Sequence, residues 1–226
     1  MKVNAQYNLA APQSLPVRIA GSARRRMFEK FMLALMPDEA DTILDVGVTS
    51  DRSYDHSNYL ELLYPHKHRL TALGIDDASF LESVYPGVRF VRGDGRRLPF
   101  TDRSFDFVHS SAVIEHVGSR DDQAQLLAEF ARVARKGVFV TTPNRWFPIE
   151  FHTVLPLVHW LPAAWFRKIL RMRGLDFFAE ERNLNLLGRR DLMGAAVAAG
   201  MTQPRVEYIR LLGWPSNLLL VSRLPR

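Results

Sequence analysis

From Ser22 onward the apolar positions Met27, Phe28, Phe31, Met32 and Leu35 recur at helical spacing, with Ser22 as a cap and Pro37 as a stop. The pattern predicts a first helix over Ala23–Met36. Short β-type runs follow at Thr42–Val46, Arg69–Ile75, Val88–Val91, Phe105–His109 and Gly137–Thr142, each ending in polar or glycine residues and separated by helical or loop segments. Such alternation predicts an α/β fold with a parallel sheet and crossover helices. Between the fourth and fifth runs, Ser119 with Asp122 three residues on resembles a capping box. Leu126, Leu127, Phe130 and Val133 supply the buried stripe of a helix reaching Arg135. Residues Arg190–Ala199 read as a helix stopped by Gly200. Two strands, Arg205–Leu212 and Asn217–Arg223, follow it, joined by a turn over Gly213–Ser216. Two antiparallel closing strands would complete a seven-stranded, mostly parallel sheet with helices on both faces.

The pattern changes after Asn144, where a third of the chain's aromatic residues fall between Trp146 and Phe178. An aromatic cap inserted after the fifth strand is the simplest explanation. One domain over 1–226 is expected, divided into an N-terminal helical segment (1–40), a core (41–144), the cap insertion (145–188) and a C-terminal helix with closing strands (189–226). Within the cap, Pro162–Gly174 reads as a basic amphipathic helix. Trp165, Phe166, Ile169, Leu170 and Met172 alternate there with Arg167, Lys168, Arg171 and Arg173, a pattern compatible with peripheral contact to an anionic membrane.

Composition then removes alternatives. The chain has 226 residues and no cysteine, which excludes disulfides, thiolate metal sites, iron–sulfur clusters and a cysteine nucleophile. The first twenty residues hold no continuous apolar core of signal-peptide length, and a cytoplasmic location is expected. The longest uncharged aromatic run, Phe151–Phe166, is interrupted by Pro156 and Pro162 and falls short of the roughly 20 residues of a spanning helix. A net charge of +6 is spread over pairs and triplets such as Arg24–Arg26, Arg96–Arg97 and Arg189–Arg190, so it selects no partner.

Three consecutive strands end in carboxylates. The first runs into Asp45-Val46-Gly47-Val48-Thr49, the second into Asp76-Asp77 and the third into Gly93-Asp94-Gly95. In an open α/β sheet the ligand crevice lies beyond the carboxyl ends of the strands, where strand order reverses. An acidic residue at the end of the second strand can accept both hydroxyls of a ribose. A metal site is not expected, since His66 and His68 stand two apart, His109 and His116 seven apart, and no H-E-x-x-H helix is present. The G-x-G-x-x-G spacing of nicotinamide enzymes is also missing.

The block Gly93-Asp94-Gly95-Arg96-Arg97-Leu98-Pro99-Phe100, followed by Ser104-Phe105-Asp106-Phe107-Val108-His109-Ser110-Ser111-Ala112-Val113-Ile114-Glu115-His116-Val117, resembles the class I S-adenosylmethionine-dependent methyltransferases, in particular the type 11 methyltransferase domain. The resemblance runs from about Asp41 to Asn144 and implies a Rossmann-like fold with S-adenosylmethionine as cofactor. It implies that Asp45 and Gly47 flank the methionine moiety, with Val48 and Thr49 completing the loop. Asp76 beside Asp77 would bind ribose, Asp94 and Gly95 adenine, and Ser110 and Ser111 would line the cleft near the sulfonium. Where the family has further glycines this chain has Val48-Thr49-Ser50-Asp51, and a Thr49 or Ser50 hydroxyl is expected on the cofactor carboxylate instead. The turn before the fifth strand is shortened to Arg135-Lys136-Gly137.

His116 and His152 are candidate bases, being titratable near neutrality and close after the fourth and fifth strands. Asn144, Arg145 and Trp146 leave the fifth strand at the same edge and are candidates for the acceptor pocket. The function implied is methyl transfer to oxygen or nitrogen of a small-molecule or lipid-linked acceptor. A nucleic-acid methyltransferase is the rival enzyme, and no nucleic-acid partner is expected because Thr142-Pro143-Asn144 is unlike the N-P-P-Y strand end that receives a flipped base. A non-catalytic binding module with a degraded cofactor loop is the rival of another class.

Overall fold

In the computed structural model, which describes residues 15–54 and 56–224, the chain runs through α1 (Leu15–Leu35), β1 (Ile43–Val46), α2 (Tyr59–Leu63), β2 (Leu70–Gly74), α3 (Phe80–Val84) and β3 (Arg89–Arg92). It continues through β4 (Phe105–Ser111), α4 (Arg120–Val133), β5 (Ala134–Pro143), α5 (Ala163–Met172), α6 (Asp176–Ala179), α7 (Arg189–Ala198), β6 (Arg205–Leu211) and β7 (Trp214–Arg223). The seven strands form one sheet in the order β3-β2-β1-β4-β5-β7-β6. Strands β1 to β5 are mutually parallel, and β7 is antiparallel to both of its neighbours. The expected seven-stranded, mostly parallel sheet is therefore present. The part of the expected N-terminal segment before Leu15 lies outside the described residues.

Alternation along the strands sorts the helices onto two faces. Leu44 and Val46 point into one apolar layer with Leu126, Leu127 and Phe130 of α4 and Leu192 and Ala196 of α7. Ile43 points the other way, onto Met27, Phe31 and Leu35 of α1 and Tyr59 and Leu60 of α2. The segment after β5 makes a third, separate cluster from Phe166, Leu170, Phe178, Leu184 and Leu186, which is where much of the aromatic density goes.

Element ends differ from the sequence reading for local reasons. Helix α1 begins at Leu15 rather than Ala23, and it stops at Leu35 because Met36 takes a φ of 51° ahead of Pro37. Helix α4 has its capping box, the Ser119 and Asp122 side chains each accepting from the other's backbone N–H, but it ends at Val133 and passes straight into β5. The last hairpin turns on Leu212 and Gly213, both at positive φ (50° and 85°), the requirement of a tight two-residue connection. Strand β7 therefore starts at Trp214, three residues before the expected Asn217.

Two features sit where β1 meets its neighbours. Gly47 leaves β1 at φ 97°, and a Cβ there would lie 2.0 Å from Val113 Cγ2. Beneath it the α1–α2 layer holds a buried polar group. Asp45 and His109 are register partners on β1 and β4, and Asp45 Oδ1 accepts from His109 Nδ1 at 2.7 Å. His109 Nε2 lies 2.8 Å from the Tyr59 hydroxyl. Glu61 is fully buried and neither carboxylate oxygen finds a hydrogen-bond donor. Burial, reinforced by the neighbouring Asp45 charge, pushes the Glu61 carboxyl well above its ordinary 4.5. Burial likewise raises Asp45 to about 7 and lowers His109 to about 4.

Two predictions follow from this geometry. Gly47→Ala should destabilise the protein by about 2 to 5 kcal/mol, adding the left-handed backbone cost to overpacking against Val113. In thermal unfolding that is a fall of roughly 2 to 4 °C per kcal/mol. Adding Val113→Ala should recover part of the loss, and a double variant no more stable than Gly47→Ala would remove this contact as the cause. The second concerns pH. An acid whose folded pKa is raised binds extra protons in the native state, so stability is full below the ordinary value of 4.5 and declines as pH rises toward the folded pKa. Glu61→Gln cannot ionise, and its melting temperature should gain on the wild type progressively from pH 5 to pH 8. Parallel pH profiles for the two proteins would show that Glu61 is not held protonated.

Candidate functional site

Strand order reverses between β1 and β4, since the chain builds outward through β2 and β3 before returning to β4. The crevice at that point is the default ligand position of an open parallel sheet. Every residue singled out at a strand end, from Asp45 to Thr49, then Asp76, Asp77, Asp94, Gly95, Ser110, Ser111 and Asn144 to Trp146, lies at this carboxyl edge. The individual side chains divide into those that face the crevice chemistry and those consumed by the scaffold.

Asp76, half-buried just past β2, keeps an uncommitted carboxylate, since no hydrogen bond from a described residue ends on it. The Gly47 and Val48 amides donate to Leu73 O at 2.7 and 3.2 Å, which ties the first loop back onto β2. Beyond Gly47 the loop has no further glycine and is held by Asn58 instead. Asn58 Oδ1 accepts from Thr49 N at 2.9 Å and its amide donates to Thr49 O at 3.1 Å. Thr49 Oγ1 accepts from Asp51 N, leaving the hydroxyl proton free to donate outward.

Five of the side chains expected at the cofactor are engaged by the protein itself or lie away from the crevice. The Asp45 carboxylate turns into the core onto His109, because its strand is buried on both faces and a charge there requires a partner. Val48 is buried with the apolar layer of α1 and α2. Asp94 is occupied by Arg96, whose guanidinium lies 2.8 Å away and whose backbone N–H also donates to it, and these bonds hold its carboxyl below the usual range. Ser110 is fully buried and donates to Val46 O at 2.8 Å, so it stitches β4 to β1 and does not line the cleft. Asp77 is exposed and accepts from Ser79 N ahead of α3. Gly95 packs close to Val46 and Leu126, where a Cβ would come within 2.9 and 2.8 Å of side-chain atoms. Ser111 is half-buried and shares a hydrogen bond with Thr141.

At the other end of the edge the fold assembles a second polar cluster. His152, expected only to be near the acceptor side, meets His116 with the two Nε2 atoms 3.0 Å apart. His116 Nδ1 lies 2.6 Å from Asn183 O, and His152 Nδ1 lies 2.7 Å from Glu150 Oε1. Glu150 Oε2 accepts from both the backbone and the hydroxyl of Thr153. Burial opposes its charge, but His152 and these donors hold Glu150 down at about 2. Burial lowers His116 to about 3, whereas Glu150 outweighs burial at His152 and raises it. Glu115 is fully buried; its Oε2 accepts from Thr142, its Oε1 has no partner, and burial raises it to about 6. All four imidazole nitrogens are thus turned toward protein atoms. The two candidate bases therefore face each other, Asn183 O and Glu150.

The expected acceptor residues are also partly structural. Asn144 accepts from Trp146 N and donates to Pro215 O. Arg145 donates to Leu161 O and lies over the Trp146 ring at 5.6 Å. Trp146 is half exposed beside Trp160, which stacks on Trp214. Sequence reasoning missed Tyr59, Asn58 and Glu150, whose partners stand 50, 9 and 2 residues away, and Glu61, whose carboxylate is buried with no hydrogen-bond partner among the described residues.

Among the described residues no helix is long and apolar enough to cross a membrane. Comparison with known proteins gives a domain match over part of the chain and a shared fold over nearly all of it. Residues 53–141 match the family model of a methyltransferase domain, beginning just past the unusual first loop. A protein of Encephalitozoon cuniculi (strain GB-M1) described as a candidate methyltransferase is 45% identical over 51 residues, which is 23% of this chain and 24% of that relative, so the match spans about a quarter of its length. The fold is shared with the S-adenosylmethionine-dependent methyltransferase of Mesorhizobium loti, at 15% identity and a TM-score of 0.63, over 91% of this chain and all of the other. It is shared equally with a chain of the complex between the Haloferax volcanii Trm112 methyltransferase activator and a candidate methyltransferase, at 14% identity and a TM-score of 0.62 over the whole of both chains. A Thermotoga maritima protein described as a possible histamine N-methyltransferase matches over 92% of this chain and 91% of its own, at 16% identity and a TM-score of 0.57. Residues 53–141 thus resemble a methyltransferase domain, and the chain as a whole shares its fold with solved S-adenosylmethionine-dependent methyltransferases.

Proposed function

We propose that the protein transfers a methyl group from S-adenosylmethionine to an oxygen or nitrogen of a small-molecule or lipid-linked acceptor. The observation that carries this reading is the uncommitted Asp76 carboxylate at the end of β2, one strand away from the β1/β4 switch point. A half-buried acceptor with no donor among the described residues suits a vicinal diol such as a ribose, and the Thr49 hydroxyl suits a carboxylate. When bound, S-adenosylmethionine supplies a methyl group on a sulfonium that an oxygen or nitrogen displaces in line, leaving a neutral thioether. The chain's own contribution is to position: Asp76 and Thr49 orient one end, and the segment from Asn144 to Trp146 borders the space beyond it. Placement of this kind can supply most of the acceleration without a base on the protein.

A lipid-linked acceptor draws support from α5. Phe166 and Leu170 fill the cluster beneath it, while Trp165 and Met172 stand exposed (61% and 75%) on the same helix as Lys168 and Arg171. An apolar and basic outer surface of this kind suits an anionic bilayer. Sedimentation with phosphatidylglycerol vesicles should carry the protein down at low salt, and Trp165→Ala with Met172→Ala should release it. Unchanged sedimentation of that double variant would leave the small-molecule acceptor as the preferred reading.

Asp76→Ala should weaken S-adenosylmethionine binding about tenfold to a hundredfold in titration calorimetry, the scale of losing hydrogen bonds to a charged group at about 1.5 to 3 kcal/mol. Equal affinity in a folded variant would remove Asp76 from the site, and absence of binding in the wild type would favour the non-catalytic module. Nucleic acid is expected not to bind at physiological salt. Tight binding that falls steeply with added salt would favour a nucleic-acid acceptor instead.

A further inference from the structure

The cluster of Glu115, His116 and His152 is not needed for the positioning described above, and its internal chemistry is unusual. Asn183 O can only accept, so the His116 Nδ1 opposite it carries the proton and its Nε2 presents a lone pair. The Glu150 carboxylate also accepts, so His152 Nδ1 carries a proton and its Nε2 is directed at the other Nε2, 3.0 Å away. The 3.0 Å contact is thus a hydrogen bond from His152 Nε2–H to the His116 Nε2 lone pair, and a cation placed between the two nitrogens would take the place of that proton. Glu115 Oε1 lies 3.9 Å from His116 Nε2, is buried and has no hydrogen-bond partner. One ligand atom from each of the three residues lies within 4.8 Å of the others.

We propose that Glu115, His116 and His152 form a binding site for a divalent transition ion of the zinc class. Two nitrogens held at about 2.0 to 2.1 Å in a tetrahedral site stand roughly 3.3 Å apart, so the observed 3.0 Å needs only a small opening. The donor set of two imidazoles and a carboxylate suits zinc, cobalt or manganese better than magnesium, which prefers an all-oxygen shell. The outer contacts are those of a built metal site, with a carboxylate behind His152 and a backbone carbonyl behind His116 fixing both tautomers. An ion would also give the orphaned Glu115 oxygen the partner that a buried carboxylate requires. Three protein ligands leave a fourth position open, which is the arrangement of catalytic rather than structural sites. Binding of the ion stands independently of the transferase reading. Only its use, to hold an acceptor hydroxyl or amine at that fourth position, rests on it.

The test uses the full chain, stripped with a chelator and then titrated with Zn²⁺ and, separately, Mg²⁺. Zinc should bind at about one ion per chain and Mg²⁺ far more weakly, and Co²⁺ should give the intense visible absorption of a four-coordinate site. His152→Gln and Glu115→Gln should each weaken zinc binding tenfold or more, and Glu150→Gln, which removes only the outer contact, by about tenfold to a hundredfold. Glu115→Gln keeps an oxygen for Thr142, so it supplies a folded variant if His152→Gln unfolds. Failure of the wild type to retain zinc overturns the proposal. So does retention equal to wild type in both His152→Gln and Glu115→Gln, with loss in His66→Ala, which would place the ion on the His66–His68 surface pair. Cofactor affinity measured on the same samples separates the two readings. Zinc without S-adenosylmethionine binding would refute the transferase and keep the site, and the reverse would refute the site alone.

Discussion

A single buried amide joins the turn after β4, the start of α4 and the segment that returns toward α7. Gln123, in the second turn of α4 and fully buried, donates from one nitrogen to Ile114 O and Asn185 O at 3.0 and 2.9 Å, and accepts from Arg120. That fixes the turn after β4, the start of α4 and the segment returning from the cap against each other. The same seam is closed by Asn185 N on Glu115 O, by Asn185 Nδ2 on Gly118 O and by Arg120 on Leu186 O. Asn183 O, which sets the His116 tautomer, stands on this returning segment. Replacing Gln123 by an apolar residue would strand two buried carbonyls, each costing about 1 to 3 kcal/mol, at the point where both histidine and carboxylate positions are decided.

The two polar clusters flanking β4 show opposite solutions to burying charge. Under β1, Asp45 and Glu61 are two acids with one weakly basic partner, and burial drives them toward the neutral form. Beside the turn after β4, Glu150 is fully hydrogen-bonded and stays ionised against His152, while Glu115 retains one oxygen without a donor. The first cluster is enclosed beneath the loop of Gly47 and behaves as scaffold. The second lies where β4, β5 and the cap converge, at the edge from which ligands enter such sheets.

Much of the fold was legible in the sequence because its signals are local. The Ser119–Asp122 box, the stripe from Leu126 to Val133 and the apolar runs of the strands each predict an element from spacing alone, and strand order then follows from parallel crossovers. The expected cofactor residues fall together at the carboxyl edge of the sheet for the same reason. Which way each side chain points depends on register instead. Asp45 meets His109 only because β1 and β4 pair with those two residues opposite, and Ser110 reaches Val46 O through the same ladder. Asp94 is expected at adenine by resemblance, whereas Arg96, two residues on, folds back onto its carboxylate, and spacing alone does not tell a side chain that folds back from one that extends.

The histidine pair marks the limit of reading spacing along a chain. His116 and His152 are 36 residues apart, on either side of α4 and β5, and no local ligand pattern links them. What joins them is the path of the cap, which leaves β5 through Asn144, passes Glu150 and His152, forms its own cluster around Phe166 and Leu170, and returns along Asn183 to Leu187. The cap thus contributes a ring from its outgoing arm and a carbonyl from its returning arm to one imidazole of the core. A segment held at both arms cannot move as a free lid without separating those contacts, so displacement of this segment and disruption of the Glu115–His116–His152 cluster are the same physical event.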